Sequence, residues 1–398
     1  MRAGGDHCRR TEVVVVGAGL LGLSTACELG RRGHDVVCLE QATVGHERSG
    51  SKSESRLFRL SHDDPFYVRL ASRSLPGWER LEAEAGERLL EPTTSLTFGD
   101  RMSRFIDAMA AAGASARLAS RAELSERFDG FAFTGPGAFE GEVLLEDTAL
   151  IMFASRILAA LARTARAQIR QREPVTRITE TEDHVEVETL TASYRCDCVV
   201  LCAGAWSGAL ARAAGIGAAR FLEPTIGQVA YLRPRSGLLG EAPAFMELAG
   251  ASAGGTPSYA WGVPTPMLNS YKIGMHRPRA RVDPSSVSMD ADSEELAELA
   301  ARATSLLPGF DPHPVATERC FFDSSPDEHL VIDRIGRVVI GAGTSGRGFK
   351  FGPVIGVMLA DLAEGRTPEL WDKRFALSRL ERAADPVTFV DRLLDSPG

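Results

Sequence analysis

Apolar positions along this chain change period several times, and each change marks an element. TEVVVV, from Thr11, is a continuous run of β-branched residues, as suits a strand covered on both faces. GAGLLG follows at once, then LSTACELGRRG, whose apolar residues recur at helical spacing up to a terminal glycine. DVVCLE is a second short strand that ends in Glu40. Strand, glycine turn, helix, strand and acid in this order make a dinucleotide-binding unit in full context, with Glu40 eighteen residues beyond Gly22. In such a unit Gly17 allows the tight turn, Gly19 lets the backbone approach a pyrophosphate, and Gly22 permits close helix–strand packing. Amides at the helix start then face the phosphates, and Glu40 would take the ribose hydroxyls of an adenosine. The motif alone leaves NAD and FAD both open.

The pattern then becomes mixed. Residues 74–89 predict a helix, 94–100 a strand opening a second region, 104–129 a further helix, and 131–146 a glycine-rich loop and strand. A strongly amphipathic helix is predicted over 149–167, short strands over 175–190, and another buried strand over 196–207 that runs into a turn at Gly204. From 221 to 282, strand-like runs broken by Pro and Gly predict an antiparallel sheet. A helix over 293–308 follows. Residues 336–365 then repeat the opening as strand, glycine loop with Gly346 and Gly348, and helix. Nucleotide-type elements therefore stand at the start, middle and end, with other material threaded between.

Composition narrows the function classes. A chain of 398 residues predicts two or three compact units with a large core. Forty-five basic against fifty-three acidic side chains leave a net charge of −8, which argues against nucleic acid or an anionic membrane as partner. No apolar run approaches the ~20 residues of a membrane span. Neither MRAGGDHCRR nor DSPG predicts a secretory leader or a peroxisomal address. Seven cysteines, an odd number spread over the whole chain, suit a reducing cytoplasm rather than a disulfide framework. Cys196, Cys198 and Cys202 alternate as a buried strand does, so they predict core packing and not a metal site.

The separated motifs GAGLLG with Glu40, SRLFR (55–59), CAGAWS (202–207), YKIGMH (271–276), CFFDSSPDEHLVID (320–333) and GAGTSGRGFKF (341–351) carry a resemblance. Together, and in this order, they resemble the FAD-dependent amine oxidases of the monomeric sarcosine oxidase, N-methyltryptophan oxidase and pipecolate oxidase family, over residues 11 to about 380. The resemblance implies an α/β fold: a discontinuous FAD-binding Rossmann-like domain (11–90, 150–215 and 330–385), interleaved with an α+β substrate domain built on an antiparallel sheet (91–149 and 216–329). It also implies FAD attached covalently to Cys320, seven residues before Asp327. A lone cysteine is otherwise more often an inert buried thiol.

Further roles follow from the same resemblance. Arg59 and Lys350 match the pair that clamps a substrate carboxylate, one as a planar fork and one as a point charge. Lys350 lies inside apolar GFKFGPVIGV, where an unpaired ammonium is costly. Lys272 matches the lysine that activates oxygen, Arg56 an arginine beside the flavin, and His276 stands on the same strand face as Lys272. Four positions depart from sarcosine oxidase: Trp261 and Phe322 replace tyrosines, and Arg347 and Lys52 replace histidines. A larger aromatic wall and an extra cation point away from sarcosine itself. Arg347 would pair with a second acid on the substrate or close the glycine loop over the site. The expected protein is a monomeric, cytoplasmic oxidase of a secondary-amine amino acid, N-methyl or cyclic, that forms an imine and releases hydrogen peroxide. The alternatives are an FAD-dependent dehydrogenase with another electron acceptor, an NAD-dependent dehydrogenase and a catalytically idle flavin-binding scaffold.

Overall fold

The computed structural model describes residues 8–99, 102–133, 139, 142–248, 259–277 and 279–382. Its first sheet has six strands in the order Val331–Ile335, Val338–Ala342, Cys198–Leu201, Val13–Val16, Val36–Glu40, Gln168–Gln171. All neighbours pair in parallel except the first two. The valine run is central, and each of its four residues is buried. Val13 and Val15 pack with helices Leu20–Arg31 and Gly352–Ala363. Val14 and Val16 face the other way, onto a four-stranded sheet through Ile178, Val185, Val187 and Tyr194. Burial on both faces, about 1.5–3 kcal/mol per side chain, explains why the run shows no alternation.

That second sheet has the order Cys8–Arg10, Ser193–Cys196, Val185–Thr189, Val175–Glu180. The third is nine-stranded: Ala316–Ser324, Glu223–Leu232, Ser270–His276, Tyr259–Thr265, Ala244–Leu248, Leu90–Gly99, Val143–Met152 and Arg56–Phe58, with Arg117–Ala119 also pairing on Val143–Met152. Helix Ser293–Leu306 covers it over a core rich in phenylalanine, and Asp292 caps that helix by accepting from the Glu294 and Glu295 amides. The sheet is not wholly antiparallel as expected. Ala244–Leu248 pairs in parallel with Leu90–Gly99.

Three predicted helices change their limits. The helix of 74–89 is the second half of Pro65–Ala85, which starts on an Asp64 cap with proline in its first turn and stops at Gly86, φ +65°. The stretch 104–129 divides into helix Met102–Ala111, strand Arg117–Ala119 and helix Arg121–Arg127. Gly113, at φ +68°, ends the first helix, and the Ser120 hydroxyl caps the last. The helix of 149–167 shortens to Ala154–Thr164, because Ala149–Met152 complete a ten-residue strand held by Leu90–Gly99 and Arg56–Phe58. Tertiary pairing outweighs helical periodicity there. Residues 134–138 and 140–141 of the predicted glycine-rich loop, and 383–385 of the third FAD-binding segment, lie outside the described residues.

Candidate active site

The six-stranded and nine-stranded sheets both contribute to the lining of a cavity of about 900 Å³. At one end the strand Val13–Val16 delivers the glycine turn. A methyl group on Gly22 would run into the Gly17 carbonyl, so close helix–strand packing accounts for that glycine. Gly17, Gly19 and Gly204 line the cavity wall. The Glu40 carboxylate is 5% exposed and accepts from the Ala18 and Ala42 amides, each at 2.9 Å, with His46 Nε2 at 3.5 Å. Glu40 thus braces the turn, and its oxygens keep lone pairs for ribose hydroxyls. One helix-start amide is already engaged: Leu20 N–H donates to Ser51 Oγ at 3.0 Å. The volume lies at the upper end of the roughly 300–1,000 Å³ of ligand pockets. A glycine cradle, a helix N-terminus, a buried acid and this length of cavity fit the diphosphate and adenosine of FAD.

The other end gathers cations. Arg59 is 5% exposed; it donates to Ser61 Oγ at 3.0 Å, touches Met246 Sδ at 3.2 Å, and stands 6.0 Å from the Phe105 ring centre. Burial holds its pKa down to about 10. Lys350 is also buried, donates to the Arg347 carbonyl at 3.3 Å, and is pushed well below its usual range by burial and then by Arg59 and Arg347. Neither cation forms an ion pair among the described residues. The Lys350 carbonyl is fixed from behind by Ser74 Oγ at 2.9 Å and Trp78 Nε1 at 2.8 Å.

Lys272 is fully buried on an interior strand, not at a sheet edge facing water. Its Nζ donates to Ser53 Oγ and to the Ser55 carbonyl, and lies 5.8 Å from the Trp261 ring centre. Arg56 donates to the carbonyls of Lys52 at 2.8 Å and Gly50 at 3.2 Å. Cys320 lines the same wall, half-buried, opposite Gly227 of the next strand. Burial pushes its thiol up, against the opposing charges of Arg56, Lys272 and Arg279. Phe322 completes the aromatic wall and packs against Gly346, whose φ of +78° leaves no room for a side chain beside that ring. Gly348 lines the cavity from the same loop. Cys196, Cys198 and Cys202 are core thiols, as expected, pushed up by burial to about 12, 11 and 12.

Of the two roles expected for Arg347, the geometry favours closing the loop. The Arg347 guanidinium pairs with Glu328, which also meets His276 Nε2 at 3.2 Å. Burial raises the Glu328 carboxyl, but the His276 hydrogen bond and the Arg347 charge outweigh it and hold the group at about 2. Glu328 stands at φ +55° and so ties the glycine loop to strand Ser270–His276. Loop closure, not recognition of a second acid, is what this geometry supports. Arg347→Ala should therefore lower kcat/KM for neutral and dicarboxylic substrates by the same factor, within about threefold. Selective loss on dicarboxylates would restore the recognition role.

Sequence reading missed several residues of this end. Glu328 lies inside the quoted DEH segment, and Tyr259 is two residues before Trp261 on the same strand face and stacks on His276 at 4.6 Å, so both had a signal. His62, 5% exposed and with no hydrogen-bond partner for Nε2 among the described residues, lines the cavity beside Phe351. Ser53, Tyr231 and Glu318 had no sequence signal, because strand register and the loop before Arg56–Phe58 bring them together.

Comparison with known proteins gives the same picture. The DAO model, FAD dependent oxidoreductase, matches residues 12–362. Peroxisomal sarcosine oxidase of Mus musculus is 30% identical over 395 residues, covering 92% of this chain and 96% of the mouse protein. Monomeric sarcosine oxidase of Streptomyces avermitilis is 28% identical over 372 residues, covering 88% and 93%. The solved open form of NikD, an unusual amino acid oxidase essential for nikkomycin biosynthesis, is similar with a TM-score of 0.79 at 27% identity, covering 92% of this chain and 97% of that one. With its nucleotide cradle and its match over most of its length, this chain belongs to the FAD dependent oxidoreductase family, in the sarcosine oxidase group.

Proposed function

We propose that this protein is a flavoprotein oxidase that converts an amino acid with a secondary amine, N-methyl or cyclic, to the imine and releases hydrogen peroxide. The observation that carries this reading is the pair Arg59 and Lys350, two buried cations that form no ion pair among the described residues, facing the cavity that also holds Lys272. Isolated buried charges are costly, and a substrate carboxylate offsets that cost. Bound FAD would supply the acceptor for the hydride equivalent and the route for electrons to oxygen. Arg59 and Lys350 hold the carboxylate and thereby orient the amine-bearing carbon, while Trp261, Phe322 and Tyr259 exclude water around it. No side chain has to act as general base if the amine binds neutral. Gly17, Gly19, Glu40 and Gly204 hold the cofactor's diphosphate and adenosine, and Cys320 is its point of attachment.

In this reading segments 11–90, 150–215 and 330–385 form the FAD-binding unit, with Arg56–Phe58 crossing into the substrate sheet, and 91–149 and 216–329 form the substrate unit. A monomer in the reducing cytoplasm is part of the proposal, and the seven unpaired thiols suit that compartment. Among the described residues no helix is long and apolar enough to cross a membrane.

Anaerobic mixing with a panel of N-methyl and cyclic amino acids tests the reading. Bleaching of the flavin, followed by peroxide on admitting oxygen, is expected. No bleaching by any secondary-amine amino acid would sink it, and bleaching without peroxide would identify a dehydrogenase instead. The clamp has its own test. Lys350→Met should weaken a simple carboxylate inhibitor by about 1.5–3 kcal/mol, the value of a charge-assisted bond. In the wild type, affinity should fall as pH rises, because burial and Arg59 favour the neutral amine of Lys350 while the bound carboxylate favours the ammonium. Unchanged affinity in both Lys350→Met and Arg59→Met would remove the clamp.

A further inference from the structure

The partners of Lys272 extend past its first hydrogen bonds. Lys272 stands directly opposite Tyr231 in the strand pairing, and both are buried. Its Nζ donates to Ser53 Oγ at 2.9 Å. Ser53 Oγ lies 3.3 Å from Glu318 Oε2 and 3.3 Å from the Tyr231 hydroxyl. Tyr231 donates to the same Glu318 oxygen at 2.8 Å. One set of protons completes the chain: the ammonium donates to Ser53, and both Ser53 and Tyr231 donate to the Glu318 carboxylate, so the Ser53–Tyr231 contact carries no proton. Glu318 is two residues before Cys320, lines the cavity and is half-buried, whereas Ser53 and Lys272 are 2% and 0% exposed. The chain of hydroxyl and carboxylate therefore leads from a closed ammonium to a group that water can reach.

We propose that Glu318 and Ser53 form a proton relay that recharges Lys272, with Tyr231 as the residue that fixes the carboxylate. When Lys272 has given a proton to reduced oxygen in the cavity, water protonates the Glu318 carboxylate, Ser53 takes that carboxyl proton, and the neutral amine accepts the proton Ser53 held before. An O–H bond breaks at Glu318 and an N–H bond forms at Lys272, leaving carboxylate and ammonium. No electrons move. The relay rests on the proposed oxygen-reactive role of Lys272, and Glu318, Ser53 and Tyr231 are positioning residues that act through it.

The charged and titratable groups facing Lys272 are Arg56 and Glu54 from the segment before and within strand Arg56–Phe58, Glu318 and Cys320 from Ala316–Ser324, and Tyr231 from Glu223–Leu232. Burial and then Arg56 push the lysine down, and Glu318 is the first group that pulls it back up. The ammonium form, and with it fast reoxidation, is lost as pH rises through the lysine pKa. Removing Glu318 should move that loss to lower pH by at least about one unit.

Two measurements on Glu318→Gln, Ser53→Ala and Ser53→Thr test the relay. In the flavin-loaded protein, Glu318→Gln and Ser53→Ala should leave anaerobic bleaching within twofold of wild type and slow reoxidation about tenfold. Their rate–pH profiles should shift to lower pH, and Ser53→Thr, which keeps the hydroxyl, should restore the profile. In flavin-free protein, denaturant midpoints of Lys272→Met, Glu318→Gln and the double variant should be non-additive, since the two groups share one chain. An unshifted pH profile in Glu318→Gln together with additive midpoints would overturn the relay. Normal reoxidation in Lys272→Met with non-additive midpoints would instead overturn the oxygen role while showing that the chain exists. Slow reoxidation in Lys272→Met with no effect of Glu318→Gln would keep the role and remove the relay.

Discussion

Lys272→Met should still be bleached by substrate, yet its reduced flavin should reoxidise about a hundredfold more slowly. Electron transfer to oxygen creates a negative charge, and a fixed cation stabilises it without any redox change of its own. At ~5 Å and an effective dielectric near 20 the attraction is about 3 kcal/mol, roughly two orders of magnitude in rate. The lysine is suited to this because it is fully buried and its Nζ is held by Ser53 and Ser55, so little reorganisation accompanies the reaction. Methionine keeps the volume against Trp261, and the main structural loss is a donor to the Ser55 carbonyl, about 1–3 kcal/mol of stability. Rapid-mixing spectroscopy of the two half-reactions decides the matter. Equal loss in both would make the residue structural, and unchanged reoxidation would pass the role to another cation such as Arg56.

Cys320 should retain the flavin through denaturation. Acid precipitation of the wild type should leave all the yellow colour in the pellet, and the tryptic peptide bearing Cys320 should gain the mass of FAD. Cys320→Ser should release the cofactor completely under the same treatment. Burial pushes this thiol up even though Arg56, Lys272 and Arg279 oppose it, so the reactive thiolate is scarce near neutrality. Attachment to flavin-free protein should therefore quicken as pH is raised. Full release of flavin from the wild type would refute attachment and leave the oxidase reading standing, because a tightly held cofactor performs the same chemistry.

What sequence alone revealed divides along local and long-range lines. The strand–turn–helix at Val13–Arg31 is legible because its signals lie close together, between Val13 and Glu40: a doubly buried valine run, Gly17 and Gly22 in contact, and a following acid. Arg59, Lys272, Cys320 and Lys350 are legible only through their flanking motifs, since nothing in the spacing 59, 272, 320 and 350 tells that they line one cavity. Strand Ala149–Met152 was read as helix because its apolar run has no period of its own, and only Arg56–Phe58 and Leu90–Gly99 make it a strand. The acid that Arg347 meets within the protein is hidden from the sequence, because Glu328, nineteen residues upstream, reaches it through a left-handed residue that sequence does not announce. The Glu318–Tyr231–Ser53 cluster depends on the register of three strands and on one loop, which no single segment encodes.

The six-stranded sheet has a consequence for the protein's biosynthesis. Its central strands Val13–Val16 and Val36–Glu40 leave the ribosome first, whereas the flanking partner of Cys198–Leu201 is Val338–Ala342, about 300 residues later. At roughly 5–20 residues per second the nascent glycine turn waits about 15–60 s for the strand that completes its sheet. Its valines need shielding meanwhile, and the loop carrying Lys350 emerges later still. The cavity is therefore completed only late in synthesis, and a chain truncated before Lys350 would lack one of the two buried cations of its substrate end.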